Sequence, residues 1–177
     1  MDKKALRAEV RAKKQAMTDS DIVSRSEKLG QLFAASESYK NAKTIYFYLP
    51  YNQEVRTVPM LEQALRDGKQ VAVPKVYGDE MKFILLKDLS RIETGYAGIP
   101  EPIDDGPVAD DKTALVLMPG MAFDPQGHRS GYGGGFYDKF LAAEPDHPTL
   151  ALCYDFQVFP LLETEAFDIP VDTVLWA

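Results

Sequence analysis

The chain has 177 residues, of which 45% are hydrophobic and 27% charged, and these values are typical of one globular domain. No apolar stretch approaches the roughly 18 residues of a membrane-spanning helix, and the charged N-terminal segment lacks the apolar core of a secretory signal. The net charge of −7 argues against nucleic acid as a partner, and the single cysteine, Cys153, excludes an internal disulfide bond and agrees with a reducing cytoplasm. We therefore expect one cytoplasmic domain over residues 1–177, a monomer with no membrane or nucleic-acid partner.

The N-terminal segment is predicted to be a basic helix. Residues 2–16 contain neither Gly nor Pro and are rich in Ala, Lys and Arg, which favours a helix. At spacings of four, four and three, one face of this helix carries Lys3, Arg7, Arg11 and Lys14. A basic arm on an acidic chain is either a solvated face or a binding surface for an anion.

The rest of the chain alternates between predicted strands and helices. The predicted strands are residues 43–49, 70–76, 81–86, 113–120, 148–154 and 172–177. The predicted helices run from a cap at Thr18 or Ser20 to about Ala35, from a cap at Thr57 to just before Gly68, and from Gly135 to Ala143. Residues 95–113, rich in Gly, Pro and Asp, are expected to form a long surface loop. This alternation predicts a three-layer α/β fold, an open and mostly parallel sheet with helices on both faces.

A glycine-rich segment, GHRSGYGGGFYDKF at Gly127–Phe140, follows the 113–120 strand. It is not a GxxxxGK[ST] loop, and Phe136 occupies the third glycine position of GxGxxG. Successive glycine N–H groups and the N-terminus of the helix beginning near Gly135 favour an anion, and Arg129 adds a phosphate-binding guanidinium. The segment therefore predicts a phosphate-binding loop; the alternative is a purely structural turn. Asp138 either complements the helix dipole or ligates Mg²⁺ beside the phosphate.

Five motifs in order carry a family resemblance. They are DKKALRAEV (2–10), YLPYNQEVRT (48–57), GIPEP (98–102), MPGMAFDPQGHRSGYGGGFYDKFL (118–141) and FDIPVDTVL (167–175). Together they resemble the motifs of the 5-formyltetrahydrofolate cyclo-ligases, also called methenyltetrahydrofolate synthetases. The chain departs from that pattern at Ser130, where the family has Leu, at Phe136, the first Tyr of a Tyr-Tyr pair, and at Lys139, where the family has Arg.

The resemblance implies both a fold and a reaction. The fold is an open-sheet α/β domain shared with some sugar-phosphate isomerases. The reaction is an ATP-dependent ligation of folate one-carbon metabolism, in which 5-formyltetrahydrofolate and ATP, with Mg²⁺, give 5,10-methenyltetrahydrofolate, ADP and phosphate. In this chemistry the formyl oxygen is phosphorylated, N10 attacks the activated carbon, and phosphate leaves.

The resemblance also implies the site residues. It assigns ATP binding to Lys3, Lys4, Arg7, Arg129, Gly131, Gly133, Gly134, Gly135, Phe136 and Tyr137. It assigns folate binding to Leu49, Glu54, Tyr132, Gly133, Gly134, Gly135 and Phe136. It assigns Mg²⁺ to Asp138 and Asp172, and catalysis to Arg129, Tyr132 and Tyr137.

Other interpretations stay open for several of these residues. Glu54 is either a pterin contact or a solvated loop residue, and Asp172 is either a metal ligand or a turn residue at the start of a strand. His128 is expected to be solvated or peripheral. Four further residues are expected to be core, with walling of the pterin or aminobenzoyl ring as the alternative: Tyr48, Tyr51, Met81 and Phe83. For the whole chain, the alternatives are a nucleotide- or folate-binding module without turnover, a relative acting on another formylated compound, and a sugar-phosphate isomerase.

Overall fold

The computed structural model describes residues 2–166 and 168–177; Met1 and Phe167, which opens the motif at 167–175, lie outside the described residues. The helices are α1 (Lys3–Gln15), α2 (Asp19–Ala35), α3 (Glu37–Asn41), α4 (Val58–Arg66) and α5 (Phe136–Ala143). The strands are β1 (Thr44–Tyr46), β2 (Gln70–Tyr77), β3 (Glu80–Leu86), β4 (Ile92–Thr94), β5 (Pro100–Pro102), β6 (Leu115–Met118), β7 (Ala122–Phe123), β8 (Arg129–Ser130), β9 (Thr149–Cys153) and β10 (Thr173–Trp176). Short 3-10 turns occupy Tyr96–Gly98 and Asp155–Gln157. No helix within the described ranges is both long enough and apolar enough to cross a membrane.

A six-stranded sheet in the order β10-β9-β6-β1-β2-β3 forms the centre of the molecule. Its neighbouring strands run parallel, except that β3 pairs antiparallel with β2 through a short hairpin. At the middle of the sheet, Ile45 of β1 lies opposite Val71 of β2 and Leu115 of β6. The prediction of an open, mostly parallel sheet is confirmed. Two further antiparallel pairs, β4 with β5 and β7 with β8, lie outside this sheet.

Both faces of the sheet are covered, as successive residues at β1 show. Ile45 and Phe47 belong to an apolar cluster that includes Phe33 of α2 and residues of α3 and α4. Tyr46 belongs to a second cluster, which includes Leu141 of α5. Because side chains of a strand alternate between faces, an uninterrupted apolar run such as TIYFYL is what a strand buried on both sides requires. The expected three-layer arrangement is confirmed.

The predicted cap residues Thr18 and Thr57 both stand at helix starts, but only Thr18 caps its helix. Thr18 caps α2 in a capping box, because its hydroxyl accepts from Asp21 N while the Asp21 carboxylate accepts from Thr18 N. Thr57 stands at the start of α4, but its side chain does not cap the helix, so that part of the prediction is wrong. Its hydroxyl instead donates to the Tyr48 carbonyl at 2.6 Å, which ties the start of α4 to the chain leaving β1.

The structure differs from the sequence predictions in several elements. The five-residue helix α3, whose N-cap Ser36 accepts a hydrogen bond from Tyr39 N, was not predicted. The strands predicted at 43–49 and 113–120 are shorter in the structure, where they span Thr44–Tyr46 and Leu115–Met118. The beginning of the segment expected as a loop is instead the tip and the second strand of the β4–β5 hairpin. Sequence patterns miss such a hairpin because its two short strands carry no alternating apolar pattern.

Candidate active site

A cavity of about 890 Å³ opens beyond the carboxyl ends of β1 and β6. It is bounded by α1, the segment after β1, the β4–β5 hairpin and the loop that leads from β8 into α5. The expected site residues that line it are Lys3, Arg7, Leu49, Glu54, Arg129, Gly131, Tyr132, Gly133, Gly134, Gly135, Phe136, Tyr137 and Asp138. Two other expected site residues, Lys4 and Asp172, are not part of its lining. Open α/β sheets bind ligands at this edge, so the location agrees with the sheet topology.

One wall of the cavity is the basic face of α1. Lys3, Arg7, Arg11 and Lys14 all contribute to the lining, so the predicted stripe faces the cavity. The helix is held there by its adjoining apolar side, where Leu6 packs with Ala122 and Leu162. The Arg7 Nε donates to the Ser130 Oγ at 3.4 Å, which gives a contact to the serine that replaces the leucine of the family pattern. The Lys3 ammonium lies 3.6 Å from the Glu165 carboxylate, with both side chains exposed.

A second wall is the glycine loop, whose backbone requires glycine at two positions. Gly133 has φ of +100° and Gly135 has φ of +69°, both in the region that residues with a Cβ rarely adopt. No other atom lies within 4 Å of where a Cβ would stand at either position. The requirement is therefore conformational, and the backbone here is open to close approach by a ligand. Gly135 is also the N-cap of α5, so the free N–H groups of that helix face the same region.

Arg129 joins the glycine loop to its surroundings. Its side chain is only 7% exposed; Nη1 donates to the Pro119 carbonyl at 3.1 Å, and Nη2 lies 3.1 Å from Asp138 Oδ2. The remaining donor, Nε, is buried and has no partner among the described residues. A buried donor without a partner is costly, so this atom is suited to a hydrogen bond with a bound ligand.

Tyr137 presents a second unused donor. Its ring packs edge-to-face on Phe83, with centroids 6.1 Å apart, and its hydroxyl is buried without a partner in the described part of the chain. Burial raises the pKa of this hydroxyl, and the negative charge of Glu54 raises it further. The group therefore stays protonated at neutral pH and is a neutral hydrogen-bond donor. Arg129 and Tyr137 were both expected site residues.

The opposite wall holds a carboxylate that is partly withdrawn from water. Glu54 Oε1 accepts from the Tyr51 N–H at 2.8 Å, and Oε2 accepts from the Tyr132 hydroxyl at 3.3 Å. Burial raises the pKa of the Glu54 carboxyl, while the Tyr51 N–H and the ammonium of Lys14 act in the opposite direction. Lys14 itself donates to the Tyr132 hydroxyl at 3.2 Å. The prediction placed Lys14 only at the end of the basic stripe; its spacing of four from Val10, a buried residue of α1, was the signal that it also points inward.

The β4–β5 hairpin covers part of the cavity. At its tip, the Tyr96 ring packs edge-to-face on Phe136, with centroids 5.7 Å apart, and Gly98 approaches the Tyr51 ring. The tip is tightly turned, because Ala97 has φ of +54° and Gly98 has φ of +78°. Tyr96 is a cavity residue that sequence reasoning missed, since the segment was interpreted as a loop with no motif of its own.

The two aspartates expected to hold Mg²⁺ have different surroundings. Asp138 lines the cavity, with Oδ2 beside Arg129 and Oδ1 3.5 Å from the Ile169 N–H. Asp172 lies outside the lining, at the start of β10, where its Oδ2 accepts from Thr149 N at 2.9 Å and its N–H donates to the Thr149 hydroxyl. No group of three or more His, Cys, Asp or Glu side chains suited to a metal ion occurs among residues 2–166 and 168–177.

Comparison with known proteins places this chain in a family. A sequence model of the 5-formyltetrahydrofolate cyclo-ligase family matches residues 1–177. The chain belongs to the 5-formyltetrahydrofolate cyclo-ligase family. The cyclo-ligase of Escherichia coli K12 is 32% identical over 76% of this chain and 78% of its own length. The cyclo-ligase of Mus musculus is 26% identical over 98% of this chain and 93% of its own length.

Solved structures of the family agree with the fold described above. The NMR structure of the Aquifex aeolicus 5,10-methenyltetrahydrofolate synthetase superposes with a TM-score of 0.87 at 30% identity, covering 99% of this chain and 90% of that one. The Mycoplasma pneumoniae 5,10-methenyltetrahydrofolate synthetase is 24% identical, covers 98% of both chains and has a TM-score of 0.77, which supports the fold alone. The resemblance to the cyclo-ligase family and the three-layer α/β fold are both confirmed.

In this member of the cyclo-ligase family, a buried aspartate fixes the turn that precedes the glycine loop through hydrogen bonds. Asp124 is fully buried and its Oδ1 accepts from the N–H groups of Gln126 and His128, both at 3.0 Å. Its Oδ2 accepts from Leu162 N at 2.9 Å and lies 2.8 Å from the His128 Nδ1. Burial alone raises the pKa of this carboxyl, but the hydrogen bonds from Leu162 and His128 outweigh it and hold the pKa below its ordinary value. His128, expected to be peripheral, is thus a partner of this anchor.

We predict that Asp124→Asn destabilises the protein by about 2 kcal/mol, because an amide leaves at least one of the four donors without an acceptor. The stabilisation from Asp124 is fully present above its ordinary pKa of about 3.9 and is lost as the pH falls through the lower folded-state pKa. The gap in unfolding free energy between wild type and variant therefore narrows below about pH 4. Urea unfolding of wild type and variant at several pH values measures this difference in unfolding free energy. Asp110→Asn, at an exposed position, is the control, and an equal loss there would contradict the assignment.

Proposed function

We propose that this chain catalyses the ATP-dependent cyclisation of 5-formyltetrahydrofolate to 5,10-methenyltetrahydrofolate, with release of ADP and phosphate. The observation that carries the proposal is that one cavity has a cationic, glycine-rich wall and, facing it, a wall with a partly desolvated carboxylate. The first suits a polyphosphate and the second suits the N–H groups of a pterin. Membership of the cyclo-ligase family supports the same reaction.

We assign ATP to the wall formed by α1 and the glycine loop. Arg7 and Lys3 supply positive charge from the helix, and the loop supplies N–H groups at the start of α5. The buried Arg129 Nε offers a donor that no described residue uses. We do not include Lys4, which lies outside the cavity lining, although the family resemblance implied it.

We assign the pterin to the wall that holds Glu54. An ionised carboxylate accepts hydrogen bonds from the amino and ring N–H groups of a pterin, and two such bonds fix the orientation of the ring. Leu49 adds an apolar contact next to it, and Tyr96 of the hairpin packs on Phe136 at the glycine loop. We assign to the hairpin the role of limiting water in the space where the two substrates meet, which would strengthen electrostatic interactions there.

The reaction requires the protein mainly to align the two substrates and to stabilise the charge that develops on the phosphates. The formyl oxygen is a weak nucleophile, so it must be held in line with the γ-phosphorus of ATP while the bond to the β-phosphate oxygen breaks. The N10 nitrogen then bonds to the formyl carbon and gives up its proton as phosphate leaves with the former formyl oxygen. Arg129 and the neutral Tyr137 hydroxyl are the donors we assign to the transferring phosphoryl group. Tyr132 is assigned to orient Glu54.

We propose that Mg²⁺ accompanies ATP and that Asp138 is its ligand from the protein. Mg²⁺ sites built on nucleotides use one or two carboxylates, with phosphate oxygens and waters as the other ligands, so Asp138, which lines the cavity beside Arg129, fits. Asp172 does not fit, because its carboxylate accepts from Thr149 N away from the cavity. When bound, the ion supplies positive charge against the charge that develops on the phosphates.

The direct test mixes the purified protein with ATP, Mg²⁺ and 5-formyltetrahydrofolate and follows the absorbance of the methenyl product together with phosphate release. We expect both signals in equal amounts, and neither when one substrate is omitted. If both substrates bind and no product forms, the chain is a binding module and the proposal is wrong. Conversion of a sugar phosphate in the absence of ATP would support the isomerase alternative.

A pair of variants separates the two substrate sites. Glu54→Gln places an amide donor against the pterin N–H groups, at a cost of about 1–3 kcal/mol, so the KM for 5-formyltetrahydrofolate rises about tenfold while the KM for ATP changes little. Arg7→Ala has the opposite pattern, because it removes a cation from the ATP wall. Both constants are measured for both variants. Glu62→Gln, at an exposed position of α4, is the control and leaves both constants unchanged. A raised KM for ATP in Glu54→Gln, with the folate constant unaffected, would show that the pterin lies elsewhere.

A second pair of variants tests the metal assignment. Asp138→Asn keeps the size of the side chain but removes a charge next to the phosphates, so kcat falls roughly 100-fold and half-maximal rate requires more Mg²⁺. Asp172→Asn serves as the matched control; because it lies outside the cavity, we expect a lower thermal midpoint and an unchanged Mg²⁺ dependence. The measurement is initial rate against Mg²⁺ concentration at saturating ATP. Equal shifts in the two variants would restore Asp172 as a ligand.

A further inference from the structure

A chain of three polar side chains crosses the cavity from α1 to the segment after β1. The Lys14 Nζ donates to the Tyr132 hydroxyl at 3.2 Å, and that hydroxyl has two acceptors in reach, Glu54 Oε2 at 3.3 Å and the Gly120 carbonyl at 3.4 Å. The Lys14 Nζ also lies 5.7 Å from the centroid of the Tyr132 ring. The glycine loop thereby places one tyrosine between a cation and an anion that come from two different elements.

The position of the cation is unusual for a lysine. Lys14 is 7% exposed, although it belongs to a helix whose other lysines are largely solvated. A buried ammonium is costly unless opposite charge and hydrogen bonds compensate it. Within the described chain its one hydrogen bond is to Tyr132, and Glu54 is the carboxylate that acts on it. The next residue, Lys13, illustrates the contrast, because it is exposed and pairs with Glu9 at 3.2 Å.

We propose that Lys14 is a positioning residue for the folate site: through Tyr132, its ammonium holds the Glu54 carboxylate ionised and oriented toward the pterin. The inference rests on the proposed function, because it concerns how the folate wall of that site is kept ready for its substrate. It gives α1 a second role beyond the ATP wall, since the same helix contributes both Arg7 and Lys14 to the cavity lining.

The groups around Glu54 fix the direction of the effect. The titratable or charged side chains that act on it are Lys14 from α1, Arg56 from its own segment, Tyr132 from the glycine loop, Tyr48 just after β1, Tyr137 from α5 and Tyr154 just after β9. Burial raises the pKa of Glu54, while Lys14 and Arg56 lower it. The tyrosines are neutral at physiological pH, since the ordinary tyrosine pKa of about 10 already lies well above it, and burial raises their pKa values further. Removing the Lys14 charge therefore moves the protonation of Glu54 to higher pH.

The experiment measures the dissociation constant of 5-formyltetrahydrofolate, without ATP, by calorimetry between pH 5 and pH 8. The variants are Lys14→Met, Lys14→Gln and Lys14→Arg. We expect Lys14→Met and Lys14→Gln to weaken folate binding about tenfold at neutral pH, as loss of a charged hydrogen-bond partner predicts. We also expect the acid limb of the binding profile, the pH range in which folate binding is lost on acidification, to move to higher pH in these two variants. Lys14→Arg, which keeps the charge, should return the acid limb to near its wild-type position. The ATP dissociation constant should stay within about twofold in all three variants.

Lys13→Met is the matched control, and we expect it to leave the folate constant and its pH profile unchanged. Circular dichroism and the thermal midpoint establish that each variant is folded. One folded charge-loss variant, Lys14→Met or Lys14→Gln, is sufficient for the test. If the acid limb is the same in wild type and in the folded charge-loss variants, the inference is wrong. It is also wrong if ATP binding weakens as much as folate binding. Failure of the wild type to bind or convert 5-formyltetrahydrofolate would contradict the proposed function itself, which separates the two claims.

Discussion

The packing of α1 on the rest of the chain is the contact on which the candidate site depends. Leu6 and Val10 are buried on one side of the helix, and Leu6 packs with Ala122 of β7 and with Leu162. This apolar contact fixes the rotation of the helix, so the side that carries Arg7 faces the cavity. A short amphipathic helix is not stable alone in water, and burial of its apolar face is what holds it in place. Without it, the cavity would keep its glycine loop but lose most of its positive wall.

The charges within the cavity are arranged in opposition. The α1 wall is cationic, the segment after β1 contributes Glu54, and Arg129 pairs with Asp138 at 3.1 Å in the lining of the same cavity. This arrangement suits two substrates of different character, an anionic nucleotide and a hydrogen-bond-donating pterin. It also accounts for a basic N-terminal segment on a chain with a net charge of −7, because the positive charge is gathered where phosphate is expected to bind.

The glycine loop combines freedom at its centre with rigid attachments at both ends. Gly133 and Gly135 adopt positive φ, which only glycine adopts readily. Before them, Asp124 is fully buried and ties the preceding turn to the Leu162 backbone. After them, α5 packs through Leu141 into the cluster on one face of the sheet. A loop held in this way presents its N–H groups in one arrangement, which lowers the entropy lost when an anion binds.

The sequence by itself determined the family, the order of the main strands and helices, and the position of the glycine loop. Those features are local: a continuous apolar run such as 43–49, a cap such as Thr18 or a cluster of glycines is visible in a few neighbouring residues. The tertiary structure alone decided which charges face one another. It buried Lys14 next to Tyr132, about 120 residues further along the chain, and it placed Asp138 in the cavity while Asp172 remained outside. It also turned part of the expected loop at 95–113 into a hairpin over the site. Burial and charge pairing depend on distances between residues that are remote in sequence, and no local pattern encodes those distances.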